Sequence, residues 1–371
     1  MTSLETVSLG KAVELVYGKS LPKGSRDVDG MIPVYGSNGI TGWHSVALVN
    51  EPTVIVGRKG SAGAVQYVES PCYPIDTTYF VRPRPGFKFD TKFLFYQLSK
   101  LDLSRLRTAT GVPGLTREDA YREQIQIPPI DEQRRIVDLL SRADGIVRLR
   151  REAQNKAAEL IPAIFLEMFG ESNLKQLSMR RVADFVARFE GGKNIQAGSE
   201  DLEGYRILKV SAVTSGRYRE VERKPAPDNY TPPSAHFVRQ GDMLFSRANT
   251  IDLVGATAIV EATDGKTLLP DKLWRFVWAK EVDVRYMHAL FQLPSVRRAL
   301  GKLATGTSDS MRNISQAKLF ALQLPIASLE QQRAFSRLSE YARSIQSQQS
   351  AAMDKAQATF DSLLATHFQL N

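Results

Sequence analysis

In 371 residues the chain has a single cysteine, Cys72, and four histidines, His44, His236, His288 and His367. One thiol excludes an internal disulfide, and four scattered imidazoles offer no ligand spacing for zinc or iron. No stretch approaches the ~18 apolar residues of a membrane span. The opening MTSLETVSLGKAVELV also lacks the basic start and continuous apolar run of a signal peptide. A metal-free, cytoplasmic chain is expected.

Catalytic signatures are scarce as well. The strings at Gly18 (GKS) and Gly265 (GKT) invite a phosphate-loop reading, but the glycine required five positions earlier is Val13 in one and Val260 in the other. An amino-methyltransferase needs a glycine-rich loop and an Asn or Asp followed by Pro-Pro and an aromatic. The prolines at Pro128–Pro129 and Pro232–Pro233 lack that context. There is no clustered acidic pair followed by Glu-x-Lys, as a nuclease would have, and no Gly-x-Ser-x-Gly elbow. A non-catalytic chain is the expectation.

What is present is a basic surplus, with 49 Lys and Arg against 40 Asp and Glu, a formal charge of +9, in a chain that is 43% apolar. That apolar content excludes wholesale disorder and suffices for two or three cores. The surplus points to an anionic partner.

The chain also repeats itself. The string LTREDAYREQIQIPPIDEQRRIVDLL from Leu115 matches ISQAKLFALQLPIASLEQQRAFSRLS from Ile314 at an offset of 199. The same offset places Gln133 on Gln332, Arg134 on Arg333 and Phe169 on Phe368. Looser likenesses lie upstream. GRKGSAG from Gly57 parallels SRANTIDLVG from Ser246, and YPIDTTYF from Tyr73 parallels LPDKLWRF from Leu269. Each half reads as a globular head followed by a repeated tail, a pseudo-twofold internal duplication.

The tails step by four and three: Ile136, Leu140, Ala143, Val147, Arg150, Gln154, Ala157, Ile161, Ile164 and Met168, then Phe335, Leu338, Ala342, Ile345, Gln349, Ala352, Ala356, Phe360 and Leu363. This is a coiled-coil seam on two helices of roughly 39 residues each, about 58 Å long. Asp131 and Ser328 are placed to cap them. Pro162 should kink or interrupt the first. A duplicated pair is expected to pack antiparallel.

The heads read as mixed α+β. Runs such as TVIVG from Thr53, TTYFVRP from Thr77, DMLFS from Asp242 and WRFVWA from Trp274 predict strands, while the segments from Phe89 and Val282 predict helices. No doubly wound pattern emerges. Residues 1–127 carry 15 basic and 12 acidic side chains, +3, and residues 171–322 carry 23 and 17, +6. Residues 128–170, with 7 of each sign, and residues 323–371, with 4 of each, are neutral. The whole surplus therefore lies on the heads.

Within the heads, small polar loops expose basic and amide side chains. YGSNGITG from Tyr35, GRKGSAG, ATGVPG from Ala109, SRANT and ATGTSDSMRN from Ala304 are the loops concerned. The candidate DNA contacts of the first head are Lys19, Ser37, Asn38, Arg58, Lys59, Ser61, Arg107 and Thr110. Those of the second are Lys193, Arg247, Asn249, Thr305, Thr307, Arg312 and Asn313. Arg suits guanine, Asn suits adenine, and Lys positions phosphate.

Two variable heads, with PIDEQRRIVDLL from Pro129 opening one tail and PIASLEQQRAFSRL from Pro325 the other, resemble the DNA-specificity subunit of type I restriction-modification systems. The likeness spans nearly the whole chain. IPPIDEQRRIV is its most specific string; LEQQRAF in the second tail departs from IDEQRRI. The resemblance implies two mixed α+β target recognition domains, 1–127 and 171–322, separated by helical spacers, 128–170 and 323–371, that form an antiparallel coiled coil. Each head would read half of a split, asymmetric DNA site, and the helices would set the gap. Two adenine methyltransferase subunits would bind the helices, with Ile136, Leu140, Val147, Ile161, Ile164, Phe335, Leu338, Ile345, Phe360 and Leu363 as candidate contacts, and a motor-nuclease would join them. S-adenosylmethionine, ATP and magnesium would reside on those partners, with no cofactor on this chain. A coiled-coil adaptor whose basic heads bind protein or RNA, and a cryptic enzyme, are the competing readings.

Overall fold

The structure, a computed structural model, describes residues 5–107, 114–170, 173, 177–198, 204–308 and 311–368. It divides into two compact units. One joins Met1–Ala153 to Ser350–Asn371, and the other is Gln154–Gln349. The long helices Ile130–Phe169 and Leu329–His367 each begin in one unit and end in the other.

In the first unit, strands Val13–Tyr17 (β1), Thr53–Gly57 (β2), Val65–Val68 (β3) and Thr78–Pro83 (β4) form an antiparallel sheet in the order β1-β4-β2-β3. β2 is buried along its whole length, so it reads as an unbroken apolar run and not as an alternation. A second sheet sets Ile32–Gly36 between Gly39–His44, antiparallel, and Tyr73–Pro74, parallel. The string from Tyr35 is therefore a hairpin where the sequence suggested a loop. Its glycines read as loop punctuation, yet Gly39, at a φ of 111°, is what lets the chain reverse so tightly. Glu5–Ser8 pairs with Gln124–Ile127, closing the head immediately before the first long helix.

The second unit repeats this plan. Strands Val186–Gly191 (β5), Met243–Ser246 (β6), Thr257–Ile259 (β7) and Leu273–Trp278 (β8) pair in the order β5-β8-β6-β7. A second sheet again has one antiparallel and one parallel neighbour around its central strand, Arg206–Leu208. Ser178–Arg181 pairs with Gln323–Ile326 ahead of the second long helix. The segment from Val282 forms two helices, Val284–Gln292 and Pro294–Leu303, because Pro294 cannot continue the first and suits the opening turn of the next. The string from Ala304 contains the paired strands Thr305–Ser308 and Met311–Asn313 where a loop was expected.

Each long helix is seated on its head by a buried glutamine. Gln133 is 1% exposed; its Oε1 accepts from the Asp90 N–H at 2.9 Å, and its Nε2 donates to the carbonyls of Pro128 at 2.9 Å and Lys88 at 3.1 Å. Asp90 in turn caps the helix Thr91–Lys100 through the N–H groups of Lys92 and Phe93. In the second unit Gln332 accepts from Asp283 N–H at 2.9 Å and donates to Ala327 O at 2.8 Å, while Asp283 caps Val284–Gln292.

Ser328 caps the second long helix in a reciprocal box, accepting from Gln331 N–H while Gln331 Oε1 accepts from Ser328 N–H. Asp131 does not cap the first. That helix starts one residue earlier, at Ile130, with Gln133 N–H bonded to Pro129 O, and Asp131 sits inside its acidic first turn. The helix also runs unbroken through Pro162. Pro162 and Ala158, whose carbonyl loses its N–H partner, are both on the exposed side, where water can satisfy that carbonyl.

Within each unit the start of one long helix meets the end of the other, so they run antiparallel. In the first, Ile136 and Leu140 pack with Phe93, Tyr96, Phe360, Leu363 and Phe368. In the second, Phe165 and Phe169 pack on Phe335 and Tyr286, with Phe165 5.3 Å from Phe335 and 5.6 Å from Tyr286 between ring centres. Val147 is also buried, and Ile161 and Ile164 are half-buried. The seam of the second helix differs from the expectation. Leu338 is 45% and Ile345 42% exposed, and Arg150 of the first helix is exposed too. The buried line runs Phe335, Ser339 and Ala342 and reaches the half-buried Gln346, with the Ser339 hydroxyl bonded to Ser336 O and Gln346 Nε2 to Ala157 O. Polar residues whose hydrogen bonds are satisfied locally can occupy a seam, so an apolar count placed the stripe one residue to the side.

Gln133→Ala strands a buried N–H and two carbonyls, and urea denaturation should show a loss of roughly 2–4 kcal/mol. A loss under about 0.5 kcal/mol would show the clamp to be dispensable.

Candidate nucleic-acid interface

In the first head the candidate residues converge on one turn. Chain leaving β1 passes through Gly18, whose N–H bonds Thr78 O at 3.1 Å, and Lys19, whose N–H bonds Pro74 O at 3.1 Å. A side chain on Gly18 would collide with the Ile75 carbonyl, so glycine is required for this close approach. On the other side of the turn, the N–H groups of Arg58 and Lys59 both reach Thr77 O, at 2.9 and 3.2 Å, and the Ser37 hydroxyl donates to the same oxygen at 2.6 Å. Arg58 Nε donates to Asp76 O at 2.9 Å.

The second head builds the same turn. Gly192 N–H bonds Pro270 O at 3.0 Å, Lys193 bridges Pro270, and a Cβ on Gly192 would collide with the Leu269 carbonyl. Arg247 Nε donates to Asp271 O at 2.7 Å. The likeness extends to the returning chain, where Leu115 N–H bonds Arg58 O and Ile314 N–H bonds Arg247 O, both at 2.9 Å.

The structure thus brings together Lys19, Ser37, Arg58 and Lys59 in one head and Lys193 and Arg247 in the other. Asn38 is exposed beside Ser37. Ser61 lies in the turn after β2, and Arg107 is exposed, its Nε bonded to Ser104 O. Asn249, Arg312 and Asn313 lie on the paired strands that follow Arg247, with Thr305 exposed on the adjoining strand. Thr110 lies outside the described residues, as does the side chain of Thr307.

Two side chains are spent inside the protein. Ser37 is 7% exposed with its hydroxyl on Thr77 O, and Asn249 Oδ1 accepts from Thr250 N–H while its amide reaches Ser246 Oγ. Both position their turns.

Sequence reasoning passed over several residues here. The Tyr17 ring lies 5.2 Å from the Arg58 guanidinium and 4.3 Å from that of Arg117. In the second head the Trp274 ring lies 5.6 Å from Arg247. Tyr79 donates its hydroxyl to Leu115 O at 3.0 Å, and burial pushes its pKa well up, so it remains a donor. The signal was present in the paired Gly-Lys steps and in the Asp of YPIDTTYF and LPDKLWRF, residues whose roles rest on backbone carbonyls.

The second head also holds a buried cation that is structural. Arg275, 5% exposed, donates to Glu190, Asp242, Ala235 O and Phe237 O. Its guanidinium lowers the Glu190 pKa, whereas burial raises that of Asp242. Among the described residues no group of three or more His, Cys, Asp or Glu is placed to hold a metal ion, and no helix is long and apolar enough to cross a membrane.

Residues 1–159 match the type I restriction modification DNA specificity domain. Among curated relatives, the EcoEI specificity subunit of Escherichia coli is 30% identical over 145 residues, 38% of this chain and 24% of the relative. The MjaVIII specificity subunit of Methanocaldococcus jannaschii is 26% identical over 266 residues, 66% of this chain and 61% of the relative. The matches thus span from about a quarter to three fifths of the relatives' own lengths. Among solved structures, the type I S subunit from M. genitalium superposes with a TM-score of 0.62 at 12% identity, covering 100% of this chain and 97% of that one. A chain from a structural study of type I complex assembly and conformational transition gives 0.58 at 16% identity, covering 98% and 97%. Residues 1–159 thus carry the match to the type I restriction modification DNA specificity domain, and the chain as a whole is similar to curated type I specificity subunits and shares the mixed α+β fold of solved S subunits.

Proposed function

We propose that this chain reads a two-part, asymmetric DNA site, one part with residues 1–127 and the other with residues 171–322, and performs no chemistry itself. The observation that carries this is the recurrence of one turn in both heads. Each turn joins a Gly-Lys step to an arginine held by the carbonyl of an Asp, on heads of +3 and +6 joined to neutral helices. Lysines at such turns position phosphates, while sequence is read by the differing side chains around them.

Adenine methylation and ATP-driven cutting belong, on this reading, to partner subunits that carry S-adenosylmethionine, ATP and magnesium. The helices supply docking surface. Leu139 and Ile146 are 41% and 53% exposed, and the residues 199 positions on, Leu338 and Ile345, are 45% and 42% exposed. An exposed apolar pair repeated at the duplication offset suits two copies of one partner. Ile136, Leu140, Val147 and Phe335 are buried in the chain's own cores and serve that docking by holding the helices in place.

Exchanging residues 1–127 for those of a relative should replace one half-site in the methylation pattern and leave the other, as read by methylome sequencing; a change in both halves would sink independent reading. Leu139→Ser combined with Ile146→Ser should lower the number of bound methyltransferase copies from two to one in native mass spectrometry, and an unchanged stoichiometry would refute the docking assignment. Inserting seven residues in each long helix adds about 10.5 Å, and the gap should widen by about 3 base pairs with the half-sites unchanged.

A further inference from the structure

The two turns share a backbone and differ in charge. In the first head Arg58 and Arg117 approach the same ring, Tyr17, at 5.2 and 4.3 Å, and Tyr17 is 44% exposed. The bonds these arginines make are to backbone carbonyls, Arg58 Nε to Asp76 O at 2.9 Å and Arg117 Nη1 to Leu15 O at a long 3.5 Å. Among the described residues neither forms an ion pair with a carboxylate. Two positive charges therefore meet at one accessible aromatic ring, with no carboxylate paired to either among the described residues.

Among its described residues the second head has neither half of this arrangement. The residue 199 positions beyond Arg117 is Gln316. The strand position that Tyr17 occupies opposite Tyr79 is filled by Gly191 opposite Trp274, and the large indole takes the space. Arg247 stacks on Trp274 at 5.6 Å but also pairs with the Asp271 carboxylate at 3.5 Å, which cancels its charge.

We propose that Tyr17, Arg58 and Arg117 form an anion clamp that takes one phosphodiester group of the DNA backbone, and that the first head alone has it. The proposal rests on the DNA-recognition reading. A guanidinium presents paired donors that match phosphate geometry, and the ring holds both guanidinium groups in place by cation–π attraction, so little side-chain entropy is lost on binding. Arg58 then anchors the head without reading a base. Anchoring would be stronger at one end of the site than at the other.

The test measures binding of the full chain to a random-sequence duplex as a function of salt. Each neutralised phosphate contributes about 0.9 to the slope of log K against log salt. Arg58→Gln combined with Arg117→Gln should flatten the slope by about 1, and each single change by part of that. Arg58→Lys keeps the charge and should retain most of the slope. Asp271→Asn frees Arg247 and should steepen it, an independent check if the clamp variants are poorly folded. Wild-type slopes in Arg117→Gln, or no steepening in Asp271→Asn, would overturn the assignment.

A second measurement separates this proposal from the reading beneath it. With ring-labelled tyrosine, inorganic phosphate should shift the Tyr17 resonance saturably in the wild type and not in Arg117→Gln. A phosphate response without any duplex binding would uphold the anion site and sink DNA recognition. Duplex binding unaltered by the arginine substitutions, with no phosphate response, would do the reverse.

Discussion

The glutamine buried at the foot of each long helix fixes how that helix sits on its head. Gln133 and Gln332 each join three things: the carbonyl of the chain entering the helix, the N–H of an N-cap aspartate on the head, and the helix itself. A buried amide engaged as both donor and acceptor cannot be shifted by a residue without stranding polar groups, each worth about 1–3 kcal/mol. The helix start is thereby fixed in rotation and in height on its head. On the proposed reading of a two-part site, that fixed seat is what holds each head at a set place along its helix.

Around this clamp the two units spend the same currency of aromatic packing in different ways. Phe368 lies 5.1 Å from Phe93 in the first unit, and its counterpart Phe169 lies 5.2 Å from Tyr286 in the second. The residue on β8 at the position of Phe80 on β4 is Arg275, as the neighbouring strands' registers place them opposite Leu244 and Ile55. One head fills that place with a buried ring and the other with a buried cation that ties four partners together. The two heads share backbone contacts and differ in side chains, and the difference extends to the turn, where Gly191 stands in one head at the place of Tyr17 in the other and Trp274 at the place of Tyr79.

Much of this was legible in the linear chain. The offset of 199 residues, the length and period of the helices, the Ser328 cap and the runs that became β2, β4, β6 and β8 all follow from patterns of apolar residues and side-chain oxygens that act locally. The hairpin from Gly39 and the strands around Met311 were misread as loops, because glycine and small polar residues mark loops and tight hairpins alike. The exact seam of the second helix escaped for a related reason: Ser339 and Gln346 satisfy their polar groups on backbone carbonyls that no periodicity reveals.

The sequence by itself determined that there are two heads of unequal positive charge on two neutral helices, since charge and period are properties of composition and spacing. Only the tertiary structure decided which of those charges remain available. Arg58 and Arg247 occupy the same place in the same turn, yet Asp271 neutralises one, while the other shares Tyr17 with Arg117, 59 residues further along the chain. Whether a guanidinium meets a carboxylate, a ring or water depends on neighbours that the fold brings together from distant segments.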